Sequence, residues 1–205
     1  MNVFLCTCSG DRREMAQRCL DRWAALGFNP VILVTPNIKS LWTRGHNVTL
    51  PAWWTKATVI VAEVNKKEFQ LARRVIADHL AETDPFVLAD DDCLPEYFGG
   101  GDACDIALRH GRFAILSALP RNATIHPWTP TSTIHEVYED AEVLEHVSVG
   151  GIRVCRKGAL KDWPPMDGPG YDAAQAEALR AIGRSVGYFK NLTCEHLGES
   201  STVWP

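Results

Sequence analysis

The chain has 205 residues, of which 46% are hydrophobic and 22% charged, the composition of one well-cored globular domain or at most two small ones. A net charge of −4 argues against a protein that coats nucleic acid by electrostatics alone, although a local basic groove stays open. Apolar stretches such as Ala57 to Ala62 are far too short to span a bilayer.

The first half alternates strands and helices. Val3 to Thr7 reads as a first strand rather than a signal peptide, because Met1-Asn2-Val3-Phe4 lacks a basic flank and runs into Asp11-Arg12-Arg13. Asp11-x-x-Glu14 has the spacing of a capping box and opens a helix whose apolar face is Ala16, Cys19, Leu20 and Trp23, with Gly27 as its C-cap. Val31 to Thr35 is a second strand stopped by Pro36, and Thr58 to Ala62 a third. Asn65-x-x-Glu68 opens another helix, with Phe69, Ala72, Ile76 and Leu80 on one face. Pro85 then introduces a fourth strand, Phe86-Val87-Leu88-Ala89, that ends in Asp90-Asp91-Asp92. Strand–helix alternation with short connections predicts a mostly parallel sheet covered on both faces.

The second half is less regular. Phe113 to Ala118 and Val186 to Leu192 read as strands, and Asp172 to Ile182 as an Ala-rich helix ended by Gly183. Val147 to Cys155 has a strand-like pattern containing Gly150-Gly151, where missing side chains allow close backbone approach. Pro120 to Thr133, rich in Pro, Thr, Asn and His, reads as a mobile or ligand-facing loop. Gly99-Gly100-Gly101 reads as a turn, since it lacks the Lys-Ser/Thr of a phosphate loop. Seven scattered cysteines, at 6, 8, 19, 93, 104, 155 and 194, include no Cys-x-x-Cys pair. They predict buried free thiols in a reducing cytoplasm rather than structural zinc or a disulfide framework.

Chemistry concentrates at Asp90-Asp91-Asp92. On an extended strand Asp90 and Asp92 project to the same side while Asp91 turns away. Two carboxylates at the carboxyl end of a strand make a hard-oxygen site suited to Mg²⁺ or Mn²⁺, which keeps positions open for substrate phosphates. The competing reading is a solvated acidic loop or a helix N-cap at Asp92. Three adjacent acids repel one another, so the arrangement calls for a cation or a basic partner.

An ordered set of residues resembles the GT-A fold glycosyltransferases, particularly the family 2 type, over most of the chain. The matching pieces are Thr7 with Arg12, Ala72-Arg73-Arg74, Asp90-Asp91-Asp92 as an Asp-x-Asp motif, Tyr171-Asp172 before the Gly183-terminated helix, and His196 after Phe189-Lys190-Asn191. The resemblance implies one nucleotide-binding, three-layer αβα domain with a mixed central sheet. Residues 1–98 would bind a nucleotide sugar, and residues 99–205 would bind the acceptor and carry catalysis. It implies a metal-dependent transfer from a nucleotide sugar, expected to be a UDP-sugar, to an acceptor hydroxyl with inversion. Asp90, Asp92 and His196 would hold Mn²⁺ or Mg²⁺, and Thr7, Arg12, Arg73, Asp90 and Asp91 would meet the donor. Asp172 would be the general base, and Trp128, Gly150, Gly151 and Tyr171 would face the acceptor. Two departures stand out: Tyr171 replaces the usual Glu of a Glu-Asp pair, and Arg74 replaces an Asn.

The physical chemistry stands beside the resemblance. Breaking a sugar–diphosphate bond leaves charge that a divalent cation stabilises, imidazole suits Mn²⁺, and a hydroxyl that attacks must lose its proton to a nearby base. Each role has an ordinary competitor. Asp172 is a favoured N-cap, His196 a plausible surface histidine, and Arg12 and Arg73 plausible solvated helix residues. Trp128 suits stacking on a sugar or base ring, whereas Trp53-Trp54 suit the core or a cover over the donor pocket. His126 and His135 have no assignable partner. The acceptor is a saccharide or glycoconjugate, or a hydroxymethylated base in DNA as in phage-type enzymes. Arg109, Arg112, Arg121, Arg153, Arg156 and Lys157 are candidates for a basic acceptor face. Two alternatives remain: a nucleotidyltransferase of related architecture, or a non-catalytic nucleotide- or glycan-binding module. The first wants a glycine-rich loop after strand one, where Cys8-Ser9-Gly10-Asp11-Arg12 offers one Gly; against the second stand the intact acids 90, 92 and 172.

Overall fold

A computed structural model describes residues 1–6, 13–28, 31–36, 57–62, 85–99, 101–121, 135–138, 141–146, 149–156 and 171–197. The first strand, β1 (Val3–Cys6), is followed by helix α1 (Arg13–Ala25), whose Ala16, Cys19, Leu20 and Trp23 are all buried, as their helical spacing predicts. Gly27, at φ +91°, ends it: the Gly27 amide donates to Ala24 O and the Phe28 amide to Trp23 O, the paired bonds of a left-handed helix cap. Strands β2 (Val31–Pro36), β3 (Ala57–Ala62) and β4 (Phe86–Asp90) follow. The helix expected between Asn65 and Leu80 lies outside the described residues.

The chain continues through β5 (Cys93–Phe98), α2 (Gly101–His110), β6 (Phe113–Pro120), β7 (His135–Tyr138), β8 (Ala141–Glu145), β9 (Arg153–Cys155), α3 (Tyr171–Ala181) and β10 (Ser185–His196). The ten strands among the described residues join one sheet in the order β3-β2-β1-β4-β9-β6-β10-β8-β7, with β5 paired to β10 off that path. The β3-β2-β1-β4 portion is parallel, whereas β9 runs antiparallel to both β4 and β6. The mixed sheet and its helices form a single GT-A-type α/β domain, the architecture the sequence predicts.

Both faces of the central strands are buried. Val3, Leu5, Val87 and Ala89 share a core with Cys19, Leu20 and Trp23 of α1 and with Cys104, Ala107 and Leu108 of α2. Phe4, Phe86 and Leu88 point the other way by strand alternation and are equally buried, with the Phe4 and Phe86 rings edge to face at 6.1 Å. This is why β1 and β4 read as unbroken apolar runs.

Three elements depart from the pattern reading. Among the described residues 149–155 only Arg153–Cys155 is strand, because Gly151 at φ +71° breaks the extended path. Cys93–Phe98 is a strand despite Pro95; it pairs with β10 alone, and that pairing shifts register between Thr193 and Cys194. The last strand runs to His196, past the expected Leu192, because its second half acquires β5 as a partner.

Candidate active site

Topology gathers the chemistry at one edge of the sheet. Cys6 at the end of β1 pairs with Asp90 at the end of β4, so these two parallel strands finish side by side. Because β9 is antiparallel to β4 and β6, the segment before it, Gly150-Gly151, lies at the same edge, and the Asp90 amide donates to Gly151 O at 3.3 Å. The long β10 supplies the last piece. Gly187 to Phe189 pair with β8, and Leu192 to His196 then pair with β5, which sets His196 opposite Cys93. The Leu197 amide donates to Asp92 O at 2.6 Å and fixes the end of that strand against the acidic turn.

The three aspartates do not continue one strand. β4 ends at Asp90, Asp91 and Asp92 form a turn, and β5 starts at Cys93. The simple alternation expected for them is therefore replaced by three different environments. Asp91 is buried, and its carbonyl accepts from the Cys19 thiol at 3.3 Å. Asp92 is 6% exposed, with Oδ2 lying 3.6 Å from His196 Nε2. Its Oδ1 accepts from the Cys93 thiol at 3.5 Å, and potential ligand atoms of Asp92, Cys93 and His196 all lie within 4.8 Å of one another.

Carboxylate and imidazole suit a hard or borderline divalent ion such as Mn²⁺. A hydrogen bond with Cys194, then burial and the nearby aspartates, push the Cys93 thiol well above its ordinary range, which favours S–H over thiolate. Its geometry suits orienting Asp92 by holding Oδ1 while Oδ2 faces the histidine, the kind of contact that tunes metal sites from behind. The residues present thus fit a divalent cation between Asp92 Oδ2 and His196 Nε2. Cys93 is also what makes Gly151 necessary: a Cβ there would stand 2.9 Å from the Cys93 sulfur.

Asp90 faces a different partner. Strand register sets Leu88, Arg153, Ser117 and Tyr188 in one row across β4, β9, β6 and β10, so all four project from the same face. Arg153 is only 1% exposed; its Nη2 lies 3.8 Å from Asp90 Oδ2 and donates to Asp172 Oδ1 at 2.7 Å. Asp172 sits in the first turn of α3, which packs on β10, and its side chain is 41% exposed. The other oxygen, Oδ2, lies over Gly150, 3.1 Å from where a Cβ would stand. Ser117 Oγ, 2.6 Å from Gly150 O and 2.7 Å from Ile152 O, pins the backbone around these glycines.

Of the sequence-predicted site residues, Asp92 and His196 come together directly, and Asp90 and Asp172 come together through Arg153. Gly150 and Gly151 make the close approaches expected of them, to Asp172 and Cys93. Thr7, Arg12, Arg73 and Trp128 lie outside the described residues, as do Arg74, Trp53, Trp54, His126 and Lys157; of Tyr171 and His135 only the backbone is described.

Of the candidates for a basic acceptor face, burial removes Arg153. Arg109 pairs with Asp105 at 2.9 Å, Arg112 pairs with Glu145, and Arg121 pairs with Glu96 at 3.1 Å. Pattern reasoning did not assign Cys93 to the site, and it offered Arg153 only as part of an exposed basic face, not as the buried partner of Asp90 and Asp172. One signal was available for the arginine: Ile152-Arg153-Val154-Cys155 places a lone charge inside an apolar strand, which requires a buried counter-charge.

Six cysteines among the described residues, at positions 6, 19, 93, 104, 155 and 194, are free and buried, in agreement with the thiol reading. Also among the described residues, no helix is long and apolar enough to cross a membrane.

Comparison with solved structures agrees with the topology. GalNAc-T7 with UDP, GalNAc and Mn²⁺ superposes with a TM-score of 0.66 at 8% identity, over 98% of this chain and 44% of that one. S. aureus TarS 1-349 in complex with UDP gives 0.61 at 12% identity, over 95% and 59%. The inositol-1-phosphate CTP transferase from T. maritima gives 0.57 at 13% identity, over 100% and 92%. The chain thus spans about half the length of these two glycosyltransferase structures but most of the nucleotidyltransferase. At such identities the likeness defines the fold, and the fold is GT-A. No protein-family model and no curated protein matches the chain by sequence.

Proposed function

We propose that this chain is a metal-dependent glycosyltransferase that moves a sugar from a nucleotide donor, a UDP-sugar, to an acceptor hydroxyl with inversion. The observation that carries the reading is the pairing of Asp92 with His196 at the carboxyl edge of the sheet, with Asp172 held near Asp90 through Arg153. Asp92 and His196 would hold Mn²⁺ or Mg²⁺ with Asp90 as the supporting carboxylate, and Asp90 and Asp91 would meet the donor; once bound, the ion supplies charge neutralisation to the departing diphosphate. Thr7, Arg12 and Arg73 are assigned to the donor, and Trp128, Gly150, Gly151 and Tyr171 to the acceptor. The UDP in the GalNAc-T7 and TarS structures supports the choice of donor.

In this mechanism Asp172 accepts the proton of the acceptor hydroxyl as the hydroxyl oxygen attacks the anomeric carbon. The new carbon–oxygen bond forms while the bond to the β-phosphate oxygen breaks, and UDP leaves with that electron pair. No covalent enzyme–sugar intermediate forms. The acceptor class is a saccharide or glycoconjugate, with a hydroxymethylated base in DNA as the alternative.

The test is calorimetry with UDP and Mn²⁺, followed by a screen of UDP-sugars for Mn²⁺-dependent hydrolysis and of both acceptor classes for transfer. Metal-dependent UDP binding and transfer with an inverted anomeric centre are expected. Absence of nucleoside diphosphate binding in the presence of Mn²⁺ defeats the reading. The 92% coverage of the T. maritima enzyme favours one competitor, nucleotidyl transfer. Release of pyrophosphate from a nucleoside triphosphate and a sugar phosphate would establish it instead.

A further inference from the structure

Burying a guanidinium in a sheet requires compensation, and the compensation chosen here links the two halves of the candidate site. Arg153 opens β9, the short antiparallel strand wedged between β4 and β6, and its side chain is 1% exposed. Nε donates to Val149 O at 3.3 Å, and Nη2 reaches both Asp172 Oδ1 at 2.7 Å and Asp90 Oδ2 at 3.8 Å. One group thus holds a loop carbonyl, the first turn of α3 and the acidic end of β4. The planar fork of arginine fixes direction as well as charge, which the single ammonium of lysine does not. Gly150 completes the arrangement, since a Cβ there would stand 3.1 Å from Asp172 Oδ2, tighter than ordinary contact.

We infer that Arg153 is a positioning residue for proton transfer: it clamps Asp172 through Oδ1, leaves Oδ2 to the acceptor hydroxyl, and keeps the base in register with Asp90. This inference rests on the glycosyltransferase reading and assigns within it a residue that touches neither donor nor acceptor. A clamp of this kind acts chiefly on turnover, because Asp92 and His196 are held separately by Cys93 and the β5–β10 pairing, and the guanidinium lies 2.7 Å from Asp172 but 3.8 Å from Asp90.

The experiment compares Arg153→Lys, Arg153→Met and Arg153→Ala with the wild type in the full chain, measuring UDP·Mn²⁺ affinity by calorimetry and acceptor transfer by product formation. Misplacement of a base by about 1 Å costs on the order of 10²-fold in rate, so Arg153→Met and Arg153→Ala are expected to lose about that much turnover. Donor affinity stays within about threefold, well under the tenfold change that 1.4 kcal/mol represents. Guanidinium ion added to Arg153→Ala should restore turnover saturably, whereas Arg153→Lys restores it only in part. A purely structural arginine would lower yield and stability, with no guanidinium-dependent recovery of turnover. If Arg153→Ala does not fold, the decision rests on Arg153→Lys, which retains the charge and loses the fork: wild-type turnover there overturns the inference. Parallel loss of UDP binding and turnover in folded variants also overturns it. A wild type that binds UDP·Mn²⁺ yet transfers to no acceptor refutes the glycosyltransferase reading itself, and the role of Arg153 falls with it.

Discussion

Gly151→Ala is the most direct test of how tightly the site is built. Gly151 and Gly183 both adopt positive φ, +71° and +76°, so alanine at either position bears the steric cost of the left-handed region, about 1–2 kcal/mol. The positions differ in surroundings. Nothing lies within 4 Å of a Cβ at Gly183, whereas at Gly151 the Cβ would stand 2.9 Å from the buried Cys93 sulfur and 3.8 Å from its Cβ. Cys93 has little room to retreat, being 2% exposed and bonded to Asp92. Forcing an extra carbon into such packing costs about 1–3 kcal/mol. Gly183→Ala should therefore lose about 1–2 kcal/mol and Gly151→Ala about 2–5 kcal/mol, the difference isolating the clash. Urea unfolding of both variants gives the two numbers. Adding Cys93→Ala to Gly151→Ala should recover part of the loss, since removing the sulfur removes the obstruction. Equal losses for the two glycine variants, or strict additivity with Cys93→Ala, would refute the packing argument.

Other expectations concern chemistry. Asp172→Asn keeps shape and capping ability but removes the proton acceptor, so turnover should fall about 10²–10⁴-fold with donor affinity little changed; retention of configuration or near-normal turnover would reject the base role. Asp92→Ala should abolish Mn²⁺-dependent UDP binding with the fold intact, and Cys93→Ala should weaken Mn²⁺ by about 10- to 100-fold, the usual cost of losing a contact behind a ligand; unchanged calorimetric affinities would refute both. The Tyr188 phenol is pushed up to about 12 from 10.0, chiefly by burial, with Asp172 adding to the rise and Arg153 opposing it. The folded chain then holds this proton while the unfolded chain releases it, so stability should decline as pH rises from about 10 toward 12. Tyr188→Phe should flatten that decline, and an unaltered alkaline profile would contradict it.

The fold was legible where chain-local physics sets it. Buried parallel strands need apolar runs on both faces, and the runs at Val3 to Thr7, Val31 to Thr35 and Phe86 to Ala89 fall on β1, β2 and β4. Glycine caps ended α1 and α3 as expected, because positive φ is a requirement of the backbone itself. β5 was opaque for the opposite reason. Pro95 argues against a strand, yet the strand forms because β10 pairs with it through a register shift and Arg22 of α1 donates to the carbonyls of Pro95 and Glu96. None of that support is local. The hairpin of β7 and β8 is likewise made by pairing, its strands being only four and five residues long.

The site divides along the same line. A carboxylate cluster ending an apolar run is a local signal with a local cost, since adjacent acids repel and need compensation, so Asp90 to Asp92 stood out before any fold was known. Which cation answers each carboxylate is decided by the sheet. The turn at Asp91-Asp92 breaks the strand alternation and separates the acids. Asp92 is sent toward His196, and Asp90 toward Arg153, whose apolar neighbours announce a buried counter-charge in sequence but not which one. Arg153 is tolerated inside the sheet only because β9 is antiparallel, which brings its side chain to the carboxyl ends of β4 and β6 and beneath the first turn of α3. Had β9 run parallel to its neighbours, the start of the strand would lie at the opposite edge of the sheet, its guanidinium far from Asp90 and buried at a cost of several kcal/mol. The reversal of one three-residue strand is therefore what joins the acidic end of β4 to the first turn of α3.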